Sequence, residues 1–574
     1  MVRLMVLVRR LTNVLSLEKS GILIGGSIGL TFFLFVFGAN IIHPQHIAWL
    51  LENTNQDAIQ HFVGWEFFRN EAWHFPLGVI TNYGYPFQTS IVYTDSIPVL
   101  ALLFKCFSGL LPSVFQYFGL WYALCFFLQG VFAWAISAYM TKNNVIKSCI
   151  TLFFLLSPIM LNRMIEHQAL VAHWVILSGL LLYIRPYQKS TNLFWLLLNA
   201  VTILIHAYLA LMLLALWAAF LLKNIFIARH ISINQAVRLM LTNLFVMIFL
   251  AWMSGYFVIP FSSIMDAGGY SMDSMNLLAP FKPGTGSLIA PGNWSRFIKP
   301  FTPFYIEQGD EGFNYLGLGM LMLLALSLYC LVKQLPDKKT LTLWSPMICV
   351  CAALSFYALS NIIYVGQHIL FSYSLPGYSS VITDMFRASG RFFWPAYYLL
   401  MMMVFIILNR RLKNHVLIPL FVIALALQIA DLSIKINELH QRFMFPSTVQ
   451  ATSESSIWQT ISGRYTRIAF LPPLSRPQTK IVGFGDYIHY AATHNMSVNL
   501  GYFARQNNGE YVRFGKQLLT QAFQGKFSAD TVYIVLNPRI AAMLKPRLSG
   551  QDTVARVGTY MVIFPGEKKK REST

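Results

Sequence analysis

The 574-residue chain is 56% hydrophobic and only 11% charged, with a mean hydropathy of +0.54. An ordinary globular chain carries about 25% charged residues, so a soluble single-core protein is excluded and an α-helical polytopic membrane protein is expected. The net charge of +20 would suit nucleic acid, but outside the C-terminal region most Lys and Arg residues fall in short loops between apolar runs, where they report topology, and no nucleic-acid partner is expected.

The first ten residues are basic, and the apolar stretch that follows is about as long as a bilayer is thick, with no evident cleavage site; it reads as an anchor rather than a signal peptide. A span needs roughly 20 mostly apolar residues. Eleven stretches qualify, at about 21–42, 115–140, 147–163, 168–185, 192–206, 207–223, 239–260, 315–334, 342–360, 393–409 and 415–432. The fifth and sixth form one long apolar run, divided at His206 because a polar residue at its middle suits a tight turn. With the N-terminus inside, the inner segments hold Arg9, Arg10, Lys19, Lys142, Lys147, Arg185, Lys189, Lys223, Arg229, Lys333, Lys338, Arg410 and Arg411, against the inner acids Glu18 and Asp337; this is the charge bias of a cytoplasmic face. Residues 97–111 are apolar but contain Lys105 and end at Pro112, which predicts a helix lying at the outer interface. The six cysteines (Cys106, Cys125, Cys149, Cys330, Cys349 and Cys351) lie in or beside apolar runs without paired or ligand spacing. No disulfide framework, no metal site and no cofactor is expected.

Residues 433–574 then lie outside, in the periplasm or its equivalent. The basic tail at 567–571 pulls the other way, but long domains cross largely regardless of charge. Segments 467–471 and 531–536 look like buried strands, and 510–523 and 538–548 look helical, which predicts a small C-terminal α/β extracytoplasmic domain after a transmembrane domain of residues 1–432. It has neither a Gly-rich phosphate loop nor a nucleophile elbow, and reads as a lid or docking module.

Three outer loops are long (43–96, 261–314 and 361–392), and loops of this length are usually functional. In the first, a helix over about 55–70 would set Asp57, His61, Gly64, Trp65 and Phe68 on one face. A carboxylate within reach of an acceptor hydroxyl can serve as general base, and aromatic rings commonly pack against sugars or lipid tails. Asp57 is the first choice for that base; the competing explanation is a helix N-terminal cap. Asp95, just before the interfacial helix, is either its cap or a second catalytic or orienting acid. Lys105 could snorkel to headgroups or meet a lipid phosphate. The third loop ends with Phe386, Arg387, Ser389, Gly390, Arg391, Phe392 and Trp394. Two arginines at an outer boundary suit phosphate oxygens, the alternative being ion pairs with Asp384 or a first-loop carboxylate. Glu166 and His167 after the third span, and His206 at its turn, share that membrane level and are further substrate-binding candidates, although lone histidines there are more often structural hydrogen-bonders.

This layout, with one span, a large outer loop bearing Asp57 between Gln56 and Ala58, an interfacial helix, short inner loops and a C-terminal outer domain, resembles the GT-C superfamily of integral-membrane glycosyltransferases, in a bacterial branch. The resemblance covers the whole chain in architecture. It implies an inverting hexosyl- or pentosyltransferase of the inner membrane that takes a sugar from a polyprenyl-phosphate or pyrophosphate donor. The acceptor would be a cell-surface glycan, a lipid or a protein. It also implies that the first-loop acid is the base, a role carried over to Asp57 with Asp95 in reserve. The side-by-side acids of some branches are absent from this loop, which speaks against a metal-bridged mechanism. The rivals are a flippase of lipid-linked saccharides, which tends to show internal repeats and polar residues deep in several spans, and a membrane assembly protein for surface polysaccharide.

Overall fold

The computed structural model describes residues 19–51, 56–260, 269–286, 292–445, 463–473, 481 and 483–566. The basic N-terminal run and the basic tail at 567–571 lie outside the described residues. The chain is mostly helical, and every one of the apolar stretches forms helix. Among the described residues eight helices are long and apolar enough to cross a membrane: Ser20–Phe37, Phe118–Ala138, Asn144–Arg163, Ala207–Ile227, Ile233–Ser254, Lys338–Ala358, Ser389–Arg411 and Asn414–Met444. Three stretches form shorter helical segments, Gln168–Ile184, Lys189–Ile203 and Leu318–Lys333. Breaks come where local chemistry demands them. Pro158, with no backbone N–H, opens a separate turn after Asn144–Leu155. The Asn143 side chain caps Asn144–Leu155 by accepting from the amides of Val145 and Ile146 at 2.9 and 3.1 Å. The long run divides at 204–206, where His206 is the N-terminal cap of Ala207–Leu222.

The fold divides into two compact units. One comprises Met1–His46, Tyr117–Leu250 and Ala267–Pro446 and holds nearly all the apolar helices. Its helices Lys19–Phe37 and Phe118–Ala138 approach backbone to backbone, since a Cβ on Gly25, Gly29 or Gly130 would strike the facing helix; small residues at such crossings are what close helix packing within a membrane requires. The last long helix runs to Met444, past the apolar stretch, with Leu439 and Phe443 buried.

The other unit comprises Ile47–Gln116, Ala251–Asp266 and Ser447–Thr574. The first outer loop and the C-terminal region are therefore one body, joined with the short piece after helix Ile233–Ser254. The loop contributes helix Gln56–Asn70 and the ribbon β1 (Val79–Ile80) with β2 (Thr89–Ser90). A hairpin of β3 (Ile362–Val365) and β4 (His368–Ser372) sits in the third loop of the other unit. The C-terminal sheet takes β5 (Arg467–Leu471), β6 (Ser497–Val498), β7 (Thr531–Val535), β8 (Thr553–Val557) and β9 (Tyr560–Phe564) in the order β6-β5-β7-β9-β8, parallel across β6-β5-β7 and antiparallel beyond. The near-continuous apolar runs of β5 and β7 fit strands covered on both faces; Leu471, Tyr533 and Val535 pack with Ala522, Phe527 and Leu544. The first loop extends the sheet edge. Val498 donates its N–H to the Asn82 carbonyl at 2.8 Å, and its own carbonyl accepts from Gly84 and Tyr85 at 2.9 and 2.8 Å. Helix Gln56–Asn70 meets helix Phe484–Thr493 through Glu66 and His489, 2.6 Å apart, and through Asn70, which donates to the Ala492 carbonyl at 2.8 Å.

Candidate functional site

A dense set of charged side chains in the helical unit is built at helix ends and loop junctions. Arg163 closes helix Pro158–Arg163, Glu166 and His167 occupy the turn after it, and Asp310 and Glu311 follow the short turn Ile306–Gly309. Arg391 lies in the turn Ser389–Phe393. Glu311 is the hub. It accepts from Arg391 Nε at 2.6 Å and also from Arg391 Nη2, from Arg163 Nη1 at 3.2 Å, and it lies 3.3 Å from His167 Nε2. Arg163, 2% exposed, also donates from Nη2 to the Asp310 carboxylate at 3.0 Å and to the Asp310 carbonyl at 2.7 Å. The Arg391 guanidinium stacks 4.8 Å from the Tyr208 ring, whose hydroxyl accepts from the Ala388 amide at 3.0 Å.

Electrostatics separates Glu311, Asp310 and Asp273. Burial alone would raise Glu311, yet Arg391 and Arg163 hold it well below the usual carboxylate range. Burial, then the neighbouring Glu166 carboxylate, push Asp310 well above that range. Burial, then Glu311, lift Asp273 from 3.8 to about 6, against the pull of Arg387 and Arg391. His206 is held well below its ordinary value by burial and then by the charges of Arg391 and His167. It is therefore neutral, as its role requires, since its Nδ1 accepts from the Tyr208 amide at 3.2 Å.

Arg387 differs from its two neighbours. Its Nε lies 3.9 Å from Asp273 Oδ2, and the side chain is 34% exposed. The two arginines expected to act together are thus unlike. Arg391 is engaged bidentately by Glu311, a second-loop acid rather than Asp384 or a first-loop carboxylate, and only Arg387 keeps a loose partner. The helical unit brings together Glu166, His167, His206, Arg391 and, through Asp273, Arg387. Sequence reasoning missed Asp273, Asp310 and Glu311. One signal was available: Asp310 and Glu311, between Gly309 and Gly312, are the only adjacent pair of acids in the chain.

The first-loop candidates belong to the other unit. Asp57 occupies the first turn of helix Gln56–Asn70 and is 9% exposed. His61, Trp65 and Phe68 are buried on this helix. His61 Nε2 is 3.9 Å from Asp95, and the Trp65 indole donates to the Phe115 carbonyl at 2.9 Å. Asp95 does not cap the interfacial helix: the helix runs Pro98–Lys105 with Ile97 as its cap, and Asp95 itself has a left-handed backbone, φ 50°. Lys105 does not snorkel. Its ammonium sits over the rings of Phe68 and Trp73, at 4.0 and 4.7 Å, and donates to the Ala72 carbonyl at 3.3 Å. Burial pushes it down to about 8, with Glu71 opposing. A long stem turned inward onto aromatic faces trades hydration for cation–π contact.

Two family models match the chain. One, described as a domain of unknown function (DUF6311), covers residues 26–433, and the DUF6311 C-terminal domain covers 457–565. No curated protein matches the sequence.

Proposed function

We propose that this chain, which belongs to the DUF6311 family, is a membrane glycosyltransferase that moves a sugar from a polyprenyl-phosphate or pyrophosphate donor to an acceptor hydroxyl. The observation that supports this best is Arg387. In a cluster where Arg163 and Arg391 are buried and held closely by carboxylates, it alone combines partial exposure with a carboxylate partner as distant as 3.9 Å. A donor phosphate can replace Asp273 as the partner of Arg387, and Asp273, relieved of its cation, then takes up a proton more readily. Preplaced guanidinium groups favour the transition state because negative charge builds on the departing phosphate. The acceptor oxygen bonds to the anomeric carbon as the bond to the phosphate oxygen breaks, inverting the configuration; the acceptor proton passes to a carboxylate and the lipid phosphate leaves. The assignment of Asp57 as that carboxylate rests on its position in the first loop and on the resemblance to GT-C enzymes. In the same reading all eleven helical stretches cross the inner membrane of a bacterium, with the N-terminus cytoplasmic and the unit holding the first loop and C-terminal region outside.

The test is donor binding and transfer by purified protein in detergent, where transport across a bilayer contributes nothing. Arg387→Ala removes a charge-assisted contact of roughly 1.5–3 kcal/mol, so affinity for a polyprenyl phosphodiester sugar should fall about 10- to 150-fold. Unchanged donor binding would remove the phosphate assignment. Asp57→Asn should abolish transfer while leaving donor binding intact, and normal product would exclude Asp57 as base.

A further inference from the structure

Within the unit made by the first loop and the C-terminal region, residues 83–89, 258–260 and 503–511 enclose a cavity of about 380 Å³, inside the roughly 300–1,000 Å³ range of small-molecule sites. Its aromatic wall is closely packed. Tyr83 stacks on Phe67 at 4.7 Å and meets Phe503 edge-on at 4.8 Å, while Phe87 lies 6.2 Å from Tyr511. Gly84 allows this closeness: it has φ +86°, and a Cβ there would lie 2.9 Å from the Phe503 ring. Around the aromatics stand the amides of Gln88, Gln506 and Asn507, with one cation, Arg505, and one carboxylate, Glu510. Thr89, also on the wall, is 2% exposed, and its Oγ1 has no hydrogen-bond partner. That oxygen is closed off from the cavity, so the polar groups a ligand meets there are the amides and the charged pair.

We infer that this cavity binds a short segment of neutral glycan. A pyranose ring offers an apolar C–H face to aromatic rings and hydroxyls to side-chain amides, which both donate and accept. The balanced pair of charges disfavours a polyanion or a phospholipid headgroup, and a lining with three amides and two charged side chains is too polar for an alkyl chain. Naming the bound glycan as the acceptor rests on the transferase reading; its binding does not.

The test uses the full chain purified in detergent, applied to an array of neutral and N-acetylated oligosaccharides, with calorimetry on the strongest binder. Gln88→Ala removes one exposed amide from the cavity wall. Its unfolding midpoint should be unchanged, and its affinity about 3- to 10-fold weaker, the range expected for one neutral hydrogen bond. Phe87→Ala and Gln506→Ala should each weaken the same glycan, and Arg387→Ala should leave it untouched. An array without signal for the wild-type chain overturns the inference, as does a glycan whose affinity none of the three cavity variants alters. Loss of transfer in Arg387→Ala with glycan retained on the array separates this site from the donor site. Glycan binding without any transfer activity would refute the transferase reading alone.

Discussion

Replacing Asp273 by asparagine should stabilise the protein at neutral pH. Its carboxyl is 15% exposed and raised from 3.8 to about 6, chiefly by burial. A carboxyl raised on folding weakens the fold above its unfolded value, because the unfolded chain gives up the proton first; the loss grows from 3.8 to about 6 and is constant above. At about 1.4 kcal/mol for each pH unit between those values, the folded state is weakened by about 3 kcal/mol at pH 7 and by less than about 1 kcal/mol at pH 4. The attraction of Arg387 is already contained in that value, and Arg387 is exposed enough for water to replace an ion pair worth about 1 kcal/mol or less. Asp273→Asn should therefore gain about 2–3 kcal/mol at pH 7 and little at pH 4. Unfolding by sodium dodecyl sulfate in mixed micelles, followed by tryptophan fluorescence at both pH values, measures it. Equal gains at the two pH values, or a loss at pH 7, would refute the burial argument.

Arg391→Ala should do the opposite, since it takes from Glu311 its bidentate partner and leaves only Arg163 and His167 beside it; the loss should stay below the about 3–5 kcal/mol of a fully stranded buried charge, and yield of folded protein with its unfolding midpoint would report it. At the Glu66–His489 contact both groups titrate above their ordinary values. For Glu66 the cause is burial; for His489 the nearby Glu66 charge outweighs burial. The stability from charged His489 is complete below its unfolded value of 6.5 and is lost as pH rises through its folded value, and Glu66 acts in the same direction from 4.5 upward. Unfolding followed between pH 6 and 9 should show a decline, flattened in His489→Gln; a curve rising with pH would contradict the pairing.

The helices were legible because an apolar run about as long as a bilayer admits few other structures. The strands at 467–471 and 531–535 and the helix over 508–523 were legible through local periodicity. What stayed hidden was pairing across the chain. Nothing near Arg391 in sequence announces Glu311 as its partner, and the arginines looked equivalent until burial and distance separated them. Lys105 looked like an interfacial snorkel because its helix is apolar with one cation; the rings of Phe68 and Trp73, more than thirty residues earlier, turned it inward. The edge strand β6, only Ser497–Val498, is too short to stand out, and it acquires its outer neighbour only from Asn82 to Tyr85.

The bond between Asn82 and Val498 has a temporal side. The first loop leaves the ribosome long before the strand that completes it, so Tyr83 and its aromatic neighbours must wait through the synthesis of every intervening helix. Joining ends so far apart costs an unfolded chain only about 2 kcal/mol more than joining ends a tenth as distant, so the delay is a matter of order rather than of equilibrium. During that interval the half-made loop exposes an aromatic surface and an unpaired strand edge, the features that invite aggregation. Its maturation is thereby coupled to arrival of the chain's far end.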